Sequence, residues 1–348
     1  MSEEKVTILD VAQAAGVSAQ TVSRVLNDRP DVSMETRLRV QKIIEQMGYS
    51  PNLFARNLSR GRSNSIGVIA YGLSYFGPSR VLIGIEGKIN ELNFSLALNL
   101  IDDFIPSQID HILYELLSRR VEGIIWAVPA IEEYSDWLAE KFSKIQTPVV
   151  YINKGPTDSD FVVAMDNKLG GKLATAHLMA QGYRRIAIIT GPSRWWETQE
   201  RLAGWREVVT DAGYDNIDDL IVEGDWNAPS GSAGLKTLFA KDPDIDAVFV
   251  SNDQMALGAM QASRELGKSI PQDLGIVGFD DIPEAAYFYP PLTTIRQGPK
   301  VIGALAVERI SAIVEARQTG ADPEPEILWS HPTLVVRVSS KRDEGIIG

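Results

Sequence analysis

The spacing of apolar residues changes once along the chain, and this change separates a short helical head from a long body. Up to about residue 49, apolar positions recur every three to four residues, which predicts three short helices. The second is expected over 19–27 and the third over 33–47, and Gly16 is expected to end the first in the left-handed conformation. Three short helices with a glycine turn after the first are typical of a helix-turn-helix domain.

From Ser65 onward, short unbroken apolar runs alternate with amphipathic segments. The runs predict buried strands at 66–70, 95–100, 121–128, 148–153, 186–189, 247–250 and 275–279. Repeated βα units predict parallel sheets with helices on both faces, and this many strands predict two sheets. We therefore expect an α/β two-lobed body of the periplasmic-binding-protein type, joined to an all-α N-terminal helix-turn-helix domain. Ligands bind such folds in the cleft at the carboxyl ends of the strands.

The predicted domain boundaries follow these changes of pattern. They are 1–49 for the DNA-binding domain, 50–63 for a hinge helix and linker, and 64–348 for an effector-binding and dimerisation body. Within the body, the N-lobe is expected over about 64–165 and 296–326, and the C-lobe over about 166–293 and 327–340.

Composition excludes several classes of protein. The chain has 348 residues, of which 44% are hydrophobic and 23% charged, as in ordinary soluble domains. It has no cysteine, which excludes disulfides and thiolate metal sites. No apolar run approaches the roughly 18 residues of a membrane helix, and residues 1–7 are charged, so a cytoplasmic protein without membrane contact is expected.

Charge is distributed unevenly along the chain. The net charge is −12, yet residues 5–62 carry +4 and the remainder −16. A basic head on an acidic body favours a DNA-binding module attached to a domain with another task.

The second predicted helix carries side chains suited to reading DNA. Gln20 and Arg24 lie one turn apart and share a face. Glutamine can pair with adenine and arginine with guanine through two hydrogen bonds in the major groove, and the Ala19 methyl suits thymine. Short polar residues suited to phosphates or helix caps lie around them: Thr7, Ser18, Ser23, Asn27, Ser33 and Thr36. A small helical bundle with solvated polar faces is the alternative.

The segment after residue 49 predicts an extended step followed by a marginal helix. Pro51 disfavours helix in the residue before it. Residues 52–60 are compatible with a helix of under three turns, which is too short to be stable alone, and 61–65 resemble a linker.

Three runs in the head identify the chain as similar to one family of regulators. Residues 7–18 (TILDVAQAAGVS), 20–27 (QTVSRVLN) and 48–52 (GYSPN) resemble the LacI family of bacterial repressors. The resemblance implies double-stranded operator DNA as partner and a hinge helix that folds on that DNA beside its copy from a second subunit. It places Asn52 and Ala55 at the DNA and makes Leu58 a wedge in the minor groove. Packing of Leu58 against the body is the alternative.

The body shows no catalytic pattern. The Gly170-Gly171-Lys172 run is not a P-loop, because Asp166 stands where that motif needs glycine. The three histidines have no metal-ligand spacing, and the acid pairs at 102–103 and 280–281 are adjacent in sequence rather than convergent. We expect neither an enzyme nor a metal or other cofactor.

Planar hydrogen-bonding side chains and tryptophans do follow the predicted strands. Carboxylate, carboxamide and guanidinium groups can each take two contacts from vicinal hydroxyls, and a tryptophan face suits the C–H side of a pyranose. The alternative is that these residues form turns and fill cores. The runs 201–205, 223–226, 252–260 and 277–281 also resemble the cleft motifs of sugar-responsive members of the family. The resemblance implies six effector contacts, and the pattern near the strand ends adds Asn153 and Trp196. The six are Tyr75, Pro78, Arg201, Trp226, Asn252 and Asp280.

The sequence thus predicts a repressor that releases a pseudo-palindromic operator when a sugar, such as a galactoside or another mono- or disaccharide, enters the cleft. Asn153 and Ala127 depart from sugar-responsive members, which leaves the sugar open. Residues 339–348 lack a heptad pattern, so a homodimer is expected instead of a tetramer. A corepressor-dependent regulator and a solute-binding transport protein are the alternatives.

Overall fold

The structure is a computed structural model that describes residues 6–26, 29–49, 63–155, 157 and 159–342. The chain divides into two compact units, residues 1–63 and 64–348, each described here by itself. The predicted hinge helix at 52–60, with Asn52, Ala55 and Leu58, lies outside the described residues, as does Asn27.

The first unit consists of three helices around a small apolar core. They are α1 (Ile8–Ala15), α2 (Ala19–Leu26) and α3 (Met34–Met47). Gly16 ends α1 with φ +63°, which confirms the expected left-handed turn. The α1 helix begins with a capping box, in which the Thr7 backbone N–H donates to Asp10 Oδ2 over 2.8 Å. The core consists of Val11, Ala12, Ala15, Val22, Val25 and Val40.

The second unit has two lobes, each built on one six-stranded sheet. In the N-lobe the strands are β1 (Ser65–Tyr71), β2 (Ser95–Ile101), β3 (Gly123–Ala127), β4 (Val149–Ile152) and β5 (Phe161–Met165), joined later by β11 (Ile327–Ser330). The spatial order is β11-β5-β4-β3-β1-β2, with every pairing parallel. The N-lobe helices along the chain are α4 (Phe76–Glu91), α5 (Pro106–Ser118) and α6 (Ser135–Ser143).

The C-lobe repeats this plan. Its strands are β6 (Ile186–Thr190), β7 (Ile221–Glu223), β8 (Ala247–Val250), β9 (Gly275–Asp280), β10 (Thr293–Arg296) and β12 (Thr333–Val335), in the order β12-β10-β9-β8-β6-β7. Only β12 pairs antiparallel, against β10. The helices that follow β5 are α7 (Asn167–Ala180), α8 (Trp196–Asp211), α9 (Ala228–Lys241) and α10 (Asp253–Glu265), and α11 (Pro299–Gln318) returns to the N-lobe. The central strands of both sheets are buried, as unbroken apolar runs predict, whereas the edge strand β2 was expected to be buried and is largely exposed.

The chain passes between the lobes three times: after β5, after β10 and after β11. This corrects one predicted boundary, because residues 327–330 were expected in the C-lobe. They form β11, which pairs with β5 at the edge of the N-lobe sheet, so the last passage comes after Ser330. Short apolar edge strands such as β11 and β12 look alike in sequence, and only the pairing distinguishes their sheets.

The α4 helix starts at Phe76, five residues before Val81, its first buried apolar residue. Its third residue is Pro78, which is tolerated there because the first N–H groups of a helix have no partner within the helix. The α8 helix starts at Trp196.

Close approach of α7 and α8 fixes the helix that carries Arg201. A Cβ on Gly171 would lie 2.3 Å from the Arg201 carbonyl oxygen, and one on Gly204 would lie 2.1 Å from the Lys168 carbonyl oxygen. Both positions therefore need glycine for the two helices to pack this closely. Among the described residues, no helix is long and apolar enough to cross a bilayer.

Candidate DNA-reading surface and ligand cleft

The α2 helix presents Gln20 and Arg24 to solvent on one face. Val22 and Val25 hold its opposite face in the core. Arg24 Nη1 lies 3.4 Å from Asp31 Oδ2, and the arginine side chain is 47% exposed. Since an exposed ion pair of this kind is weak, the guanidinium can exchange it for another partner.

The short polar residues around α2 act mainly as helix caps. The Ser18 hydroxyl accepts from the Thr21 backbone N–H at 3.1 Å, and the Ser33 hydroxyl accepts from that of Thr36 at 3.3 Å. Ala19 and Ser23 are half-buried. These caps define helix N-termini, whose remaining N–H groups are suited to phosphate oxygens.

A cavity lies between the two lobes of the body, at the carboxyl ends of the strands. Seven of the eight predicted effector residues line it: Tyr75, Pro78, Asn153, Arg201, Trp226, Asn252 and Asp280. The N-lobe contributes Tyr75, Pro78 and Asn153, and the C-lobe contributes the rest. The strand ends therefore converge, as expected for this topology.

Aromatic rings form one wall of the cavity. Trp195 stands edge-on to Tyr75, with ring centroids 6.0 Å apart, and Trp226 lies 5.6 Å from Trp195. A Cβ on Gly191 would lie 2.1 Å from the Trp226 ring, so the indole occupies space that only glycine leaves free. This wall offers rigid apolar surface to a ligand ring.

Asn252 holds both Trp226 and a helix in place. Its Nδ2 donates to the Trp226 carbonyl oxygen at 2.9 Å, while its Oδ1 accepts from the Met255 backbone N–H at 2.9 Å and caps α10. Trp226 itself has φ +72°, a backbone conformation in which a tryptophan is strained. The hydrogen bond from Asn252 helps to maintain it.

Arg201 is the buried cation of the cleft. Its Nε donates to Asn167 Oδ1 at 2.8 Å and its Nη1 to the Ser251 carbonyl oxygen at 2.5 Å. The guanidinium carbon lies 3.7 Å from the centroid of the Phe279 ring. Burial lowers the pKa of Arg201, and the charges of Asp280, Glu197 and Asp253 raise it. The side chain is thus fixed before any ligand arrives.

Asp280 ends β9 inside the cavity, with φ +116°. Gln297 donates to its Oδ1. Burial raises the pKa of Asp280 to about 7, although Arg201 and the bond from Gln297 act in the opposite direction. At neutral pH this carboxyl can therefore accept or donate a hydrogen bond.

The next residue, Asp281, turns away from the cavity. Its Oδ2 accepts from Arg296 Nε and its Oδ1 from Arg337 Nη2, both over 2.7 Å. Asp253 is also engaged in structure, because its two oxygens accept from the Thr294 hydroxyl at 2.6 Å and the Ile282 backbone N–H at 2.8 Å. Burial raises the pKa of Asp253 well above its ordinary value.

Trp196 was also predicted to contact the effector, but the structure does not bring it to this cavity. Residue 195 pairs with Ile131 in an isolated antiparallel bridge, and the Trp196 N–H donates to the Ala130 carbonyl oxygen at 3.3 Å. Trp195 lines the cavity, and α8 begins at the next residue. Trp196 points to a separate pocket, 6.5 Å from the Trp329 ring.

Seven polar or aromatic lining residues were not predicted: Ser74, Phe76, Trp195, Glu197, Asn227, Gln254 and Gln297. A sequence signal existed for Glu197, which precedes Arg201 by four residues and so shares its helix face. Gln297 carries no such signal, because it lies in the segment between β10 and α11.

The cavity combines polar and aromatic side chains. Across the described ranges, no group of three or more histidine, aspartate or glutamate side chains could hold a metal ion. A helix-turn-helix unit joined to a two-lobed body with a polar and aromatic cleft defines a ligand-responsive DNA-binding regulator.

Comparison with known proteins agrees with this class. The model of bacterial regulatory proteins of the lacI family matches residues 7–52, and a periplasmic binding protein-like domain matches residues 175–340. The lactose operon repressor of Escherichia coli K12 is 32% identical over 88% of this chain and 84% of its own length. The PurR repressor of Edwardsiella ictaluri is 33% identical over 96% of each chain.

Two solved structures extend the comparison. The lac repressor dimer bound to operator and the anti-inducer ONPF matches with a TM-score of 0.85 and 30% identity, over 97% of this chain and 100% of that one. A complex of the transcriptional regulator CelR with cellobiose matches with a TM-score of 0.71 and 30% identity, over 96% and 99%. The chain belongs to the LacI family. It is a DNA-binding transcriptional repressor with a ligand-binding body of the periplasmic-binding-protein type.

Proposed function

We propose that the protein represses transcription from a pseudo-palindromic operator and releases it when a sugar binds in the cleft. The observation that carries the proposal is the composition of the cavity, in which Arg201, Asn252 and Asp280 lie beside Trp195 and Trp226. Guanidinium, amide and carboxyl groups suit vicinal hydroxyls, and indole faces suit the C–H side of a sugar ring. No reacting group is needed for this activity, and the protein acts as a regulator and not as an enzyme.

The names of several relatives support a sugar as the effector, but they do not identify which sugar it is. The lactose and ribose operon repressors of Escherichia coli and the CelR–cellobiose complex carry sugar names, whereas the PurR repressors do not. Tyr75, Pro78 and Asn153 are the proposed contacts from the N-lobe, and Arg201, Trp226, Asn252 and Asp280 those from the C-lobe. A galactoside or another mono- or disaccharide is the effector that we propose.

At the other end of the chain, Gln20 and Arg24 are the proposed base-reading side chains. Their exposure on one face of α2 supports this role, because such a face can enter the major groove. Ala19 and Ser23, with the cap residues Thr7, Ser18, Ser33 and Thr36, are proposed to lie near thymine methyls or phosphates. The proposed contacts Asn27, Asn52, Ala55 and Leu58 lie outside the described residues.

A homodimer in the cytoplasm is the proposed working form. Exposed apolar side chains occur on both lobes, and a contiguous group of them marks an interaction surface. In the N-lobe they include Ile83, Leu98 and Leu100, on α4 and the edge strand β2. In the C-lobe Tyr287 and Tyr289 are 88% and 81% exposed, near Leu257. Solved structures of the similar lac repressor are dimers, which supports this proposal.

The proposed mechanism is a competition between two lobe arrangements. The cavity has walls from both lobes, so a bound sugar favours the arrangement in which those walls fit it. If operator DNA favours another arrangement, sugar and DNA weaken each other's binding by the same factor, typically about 5- to 150-fold. The DNA-binding half of each subunit then loses the spacing that two half-sites require.

The test is a reciprocal titration on the full-length protein. An operator is first selected from random duplexes, and sugars are found by their effect on thermal stability, since a ligand that binds the folded state raises it. Induction predicts weaker operator binding with sugar and equally weaker sugar binding with operator. Stronger operator binding with sugar would establish a corepressor instead. Equal sugar affinity with and without operator would remove the mechanism.

A further inference from the structure

Glu197 is a residue of the cleft that has an unsatisfied carboxyl oxygen. It lies in the first turn of α8 and lines the same cavity as Arg201 and Asp280. Its Oε2 is buried and has no hydrogen-bond partner among the described residues. A buried polar atom without a partner is costly, so its presence needs an explanation.

The residues around Glu197 stabilise its buried carboxyl group only in part. The positive charge of Arg201, from one turn further along α8, and the Asn153 side chain of the opposite lobe both favour its ionised form. An acidic residue in the first turn of a helix is also favoured by the helix dipole. These contacts leave Oε2 unpaired, and burial still raises the pKa of Glu197.

The charges lining the cavity are unbalanced toward acid. Two carboxyl groups, of Glu197 and Asp280, flank a single cation, Arg201, and the latter is already held by Asn167 and the Ser251 carbonyl. A further buried carboxyl, of Asp253, lies near enough to act on Arg201. A ligand that brought another negative charge here would be repelled by these groups in a poorly solvated space.

We propose that Glu197 is a ligand-binding carboxylate of the cleft, which accepts a hydrogen bond from a hydroxyl of the effector and restricts that effector to neutral sugars without phosphate or carboxylate groups. The inference rests on the proposed function, because it names the chemistry of the ligand at the same site. A hydroxyl of the sugar supplies the donor that Oε2 lacks, while a neighbouring hydroxyl accepts from Arg201. Two vicinal hydroxyls thus match the adjacent carboxylate and guanidinium.

Glu197 also shares its cavity with a residue of the opposite lobe. Asn153 follows β4 of the N-lobe and lines the same cavity as Glu197, which belongs to the C-lobe. A sugar bound to Glu197 therefore lies between walls that come from both lobes. The residue is a specificity determinant for the ligand.

The test uses pairs of a sugar and its own phosphate ester on the full-length protein. The probes are glucose, galactose, ribose, lactose and cellobiose, with glucose 6-phosphate, galactose 1-phosphate and ribose 5-phosphate as the anionic partners. Thermal shift finds the binders, and calorimetric titration gives their affinities for the natural protein, for Glu197→Gln and for Glu200→Gln. Glu200 lies on the same helix and does not line the cavity, so it is the matched control.

We expect at least one neutral sugar to bind and each phosphate ester to bind at least about tenfold more weakly than its parent. Glu197→Gln is expected to weaken the sugar by about tenfold or more, the usual effect of losing a charge-assisted hydrogen bond, whereas Glu200→Gln leaves it unchanged. The ligand-free Glu197→Gln variant is expected to melt no lower than the natural protein, because it loses a desolvated charge. That readout separates a binding role from a structural one.

Three results would overturn the inference. Equal affinity of Glu197→Gln and the natural protein for a sugar would remove the role of Glu197 and leave the proposed function standing. Tighter binding of a phosphate ester than of its parent sugar would remove the restriction to neutral ligands. Absence of any response to all the sugars, neutral or phosphorylated, would overturn the proposed function and this inference together.

Discussion

Gln297 donates a hydrogen bond from Nε2 to Oδ1 of Asp280, and this bond joins the ligand cavity to a passage between the lobes. Asp280 ends β9 at the floor of the cleft, while Gln297 lies between β10 and α11, where the chain returns to the N-lobe. Any ligand group that competes for Asp280 therefore acts on the passage as well. The same carboxyl of Asp280 thus lines the ligand site and accepts the hydrogen bond from the segment that joins the lobes.

Replacement of Asp280 should uncouple the repressor from its effector. We expect Asp280→Ala to bind operator as the natural protein does but to lose sugar binding by at least about tenfold, since a carboxyl that pairs with ligand hydroxyls is gone. Gel-shift titrations with and without sugar measure both properties. Asp244→Ala, an exposed acid of the same lobe, is the control. Normal induction in Asp280→Ala would mean that the wrong cleft residue has been chosen.

The stability of the ligand-free protein should fall as pH rises through neutrality. The pKa of Asp280 is raised by burial to about 7, so the folded state holds a proton that the unfolded state has released. This contribution to stability is complete below the ordinary pKa of 3.8 and is lost as pH rises through about 7. The raised pKa values of Glu197 and Asp253, beside the same Arg201, act in the same direction.

The measurement is the melting temperature of natural protein and of Asp280→Asn between pH 5 and pH 8. The variant should lose less of its melting temperature over that interval, by at least about 2 °C. Parallel curves for the two proteins would show that Asp280 is not protonated in the folded state.

Trp195 and Trp226, and not Trp196, should contribute the apolar contact to the sugar. Trp195→Ala removes a ring of the cavity wall and should weaken sugar binding by about tenfold. Trp196→Ala is the matched control, because that ring points into a separate pocket. Quenching of tryptophan fluorescence during a sugar titration provides the affinities. If the two variants bind the sugar equally well, Trp195 does not supply the apolar contact that its place in the cavity wall predicts.

Arg24 should specify one base pair of each operator half-site. Arg24→Ala should relax the preference at that position and cost about 1–3 kcal/mol of binding free energy. Competition assays against operators changed at single positions provide the profile. Arg39→Ala removes an exposed cation of α3, and any loss that it causes should be uniform across sequences. An unchanged base preference in Arg24→Ala would refute its role.

The tight contact between α7 and α8 should make Gly171 intolerant of a methyl group. Gly171→Ala should lower the free energy of unfolding by about 1–3 kcal/mol, because the new Cβ meets backbone. Gly87→Ala in α4 has open space around its Cβ and should gain about 0.5–1 kcal/mol from helix propensity. Urea unfolding of both variants measures the difference. A loss in Gly87→Ala equal to that in Gly171→Ala would contradict the packing argument.

The sequence predicted those features that depend on local chemistry. The helix cap at Thr7 and the turn at Gly16 follow from one or two residues, and the structure confirms both. The two sheets follow from the number of short apolar runs that alternate with amphipathic segments. Seven of the eight predicted cleft residues lie together, because they stand at the carboxyl ends of parallel strands or in the segments and helices that follow those strands.

What the sequence did not predict depends on pairing over long distances. Trp195 and Trp196 are adjacent residues of the same type, so the sequence does not distinguish which ring faces the cavity. In the structure Trp195 lines it, next to the bridge to Ile131. The lobe to which 327–330 belongs depends on its pairing with β5. Gln297 joins the site through a hydrogen bond to a residue 17 positions earlier, for which no periodic pattern exists.

The adjacent carboxylates at the end of β9 have a consequence for anyone who wishes to redirect this repressor to a new inducer. Asp280 is tied to Gln297, and Asp281 to Arg296, so substitutions on that side will retune the switch while they alter the pocket. Among the described residues, the side chains of Tyr75 and Pro78, on the opposite wall, make no hydrogen bond to a segment that crosses between the lobes. Libraries that diversify the wall around them should yield altered inducer profiles with the fewest permanently repressed or permanently active mutants.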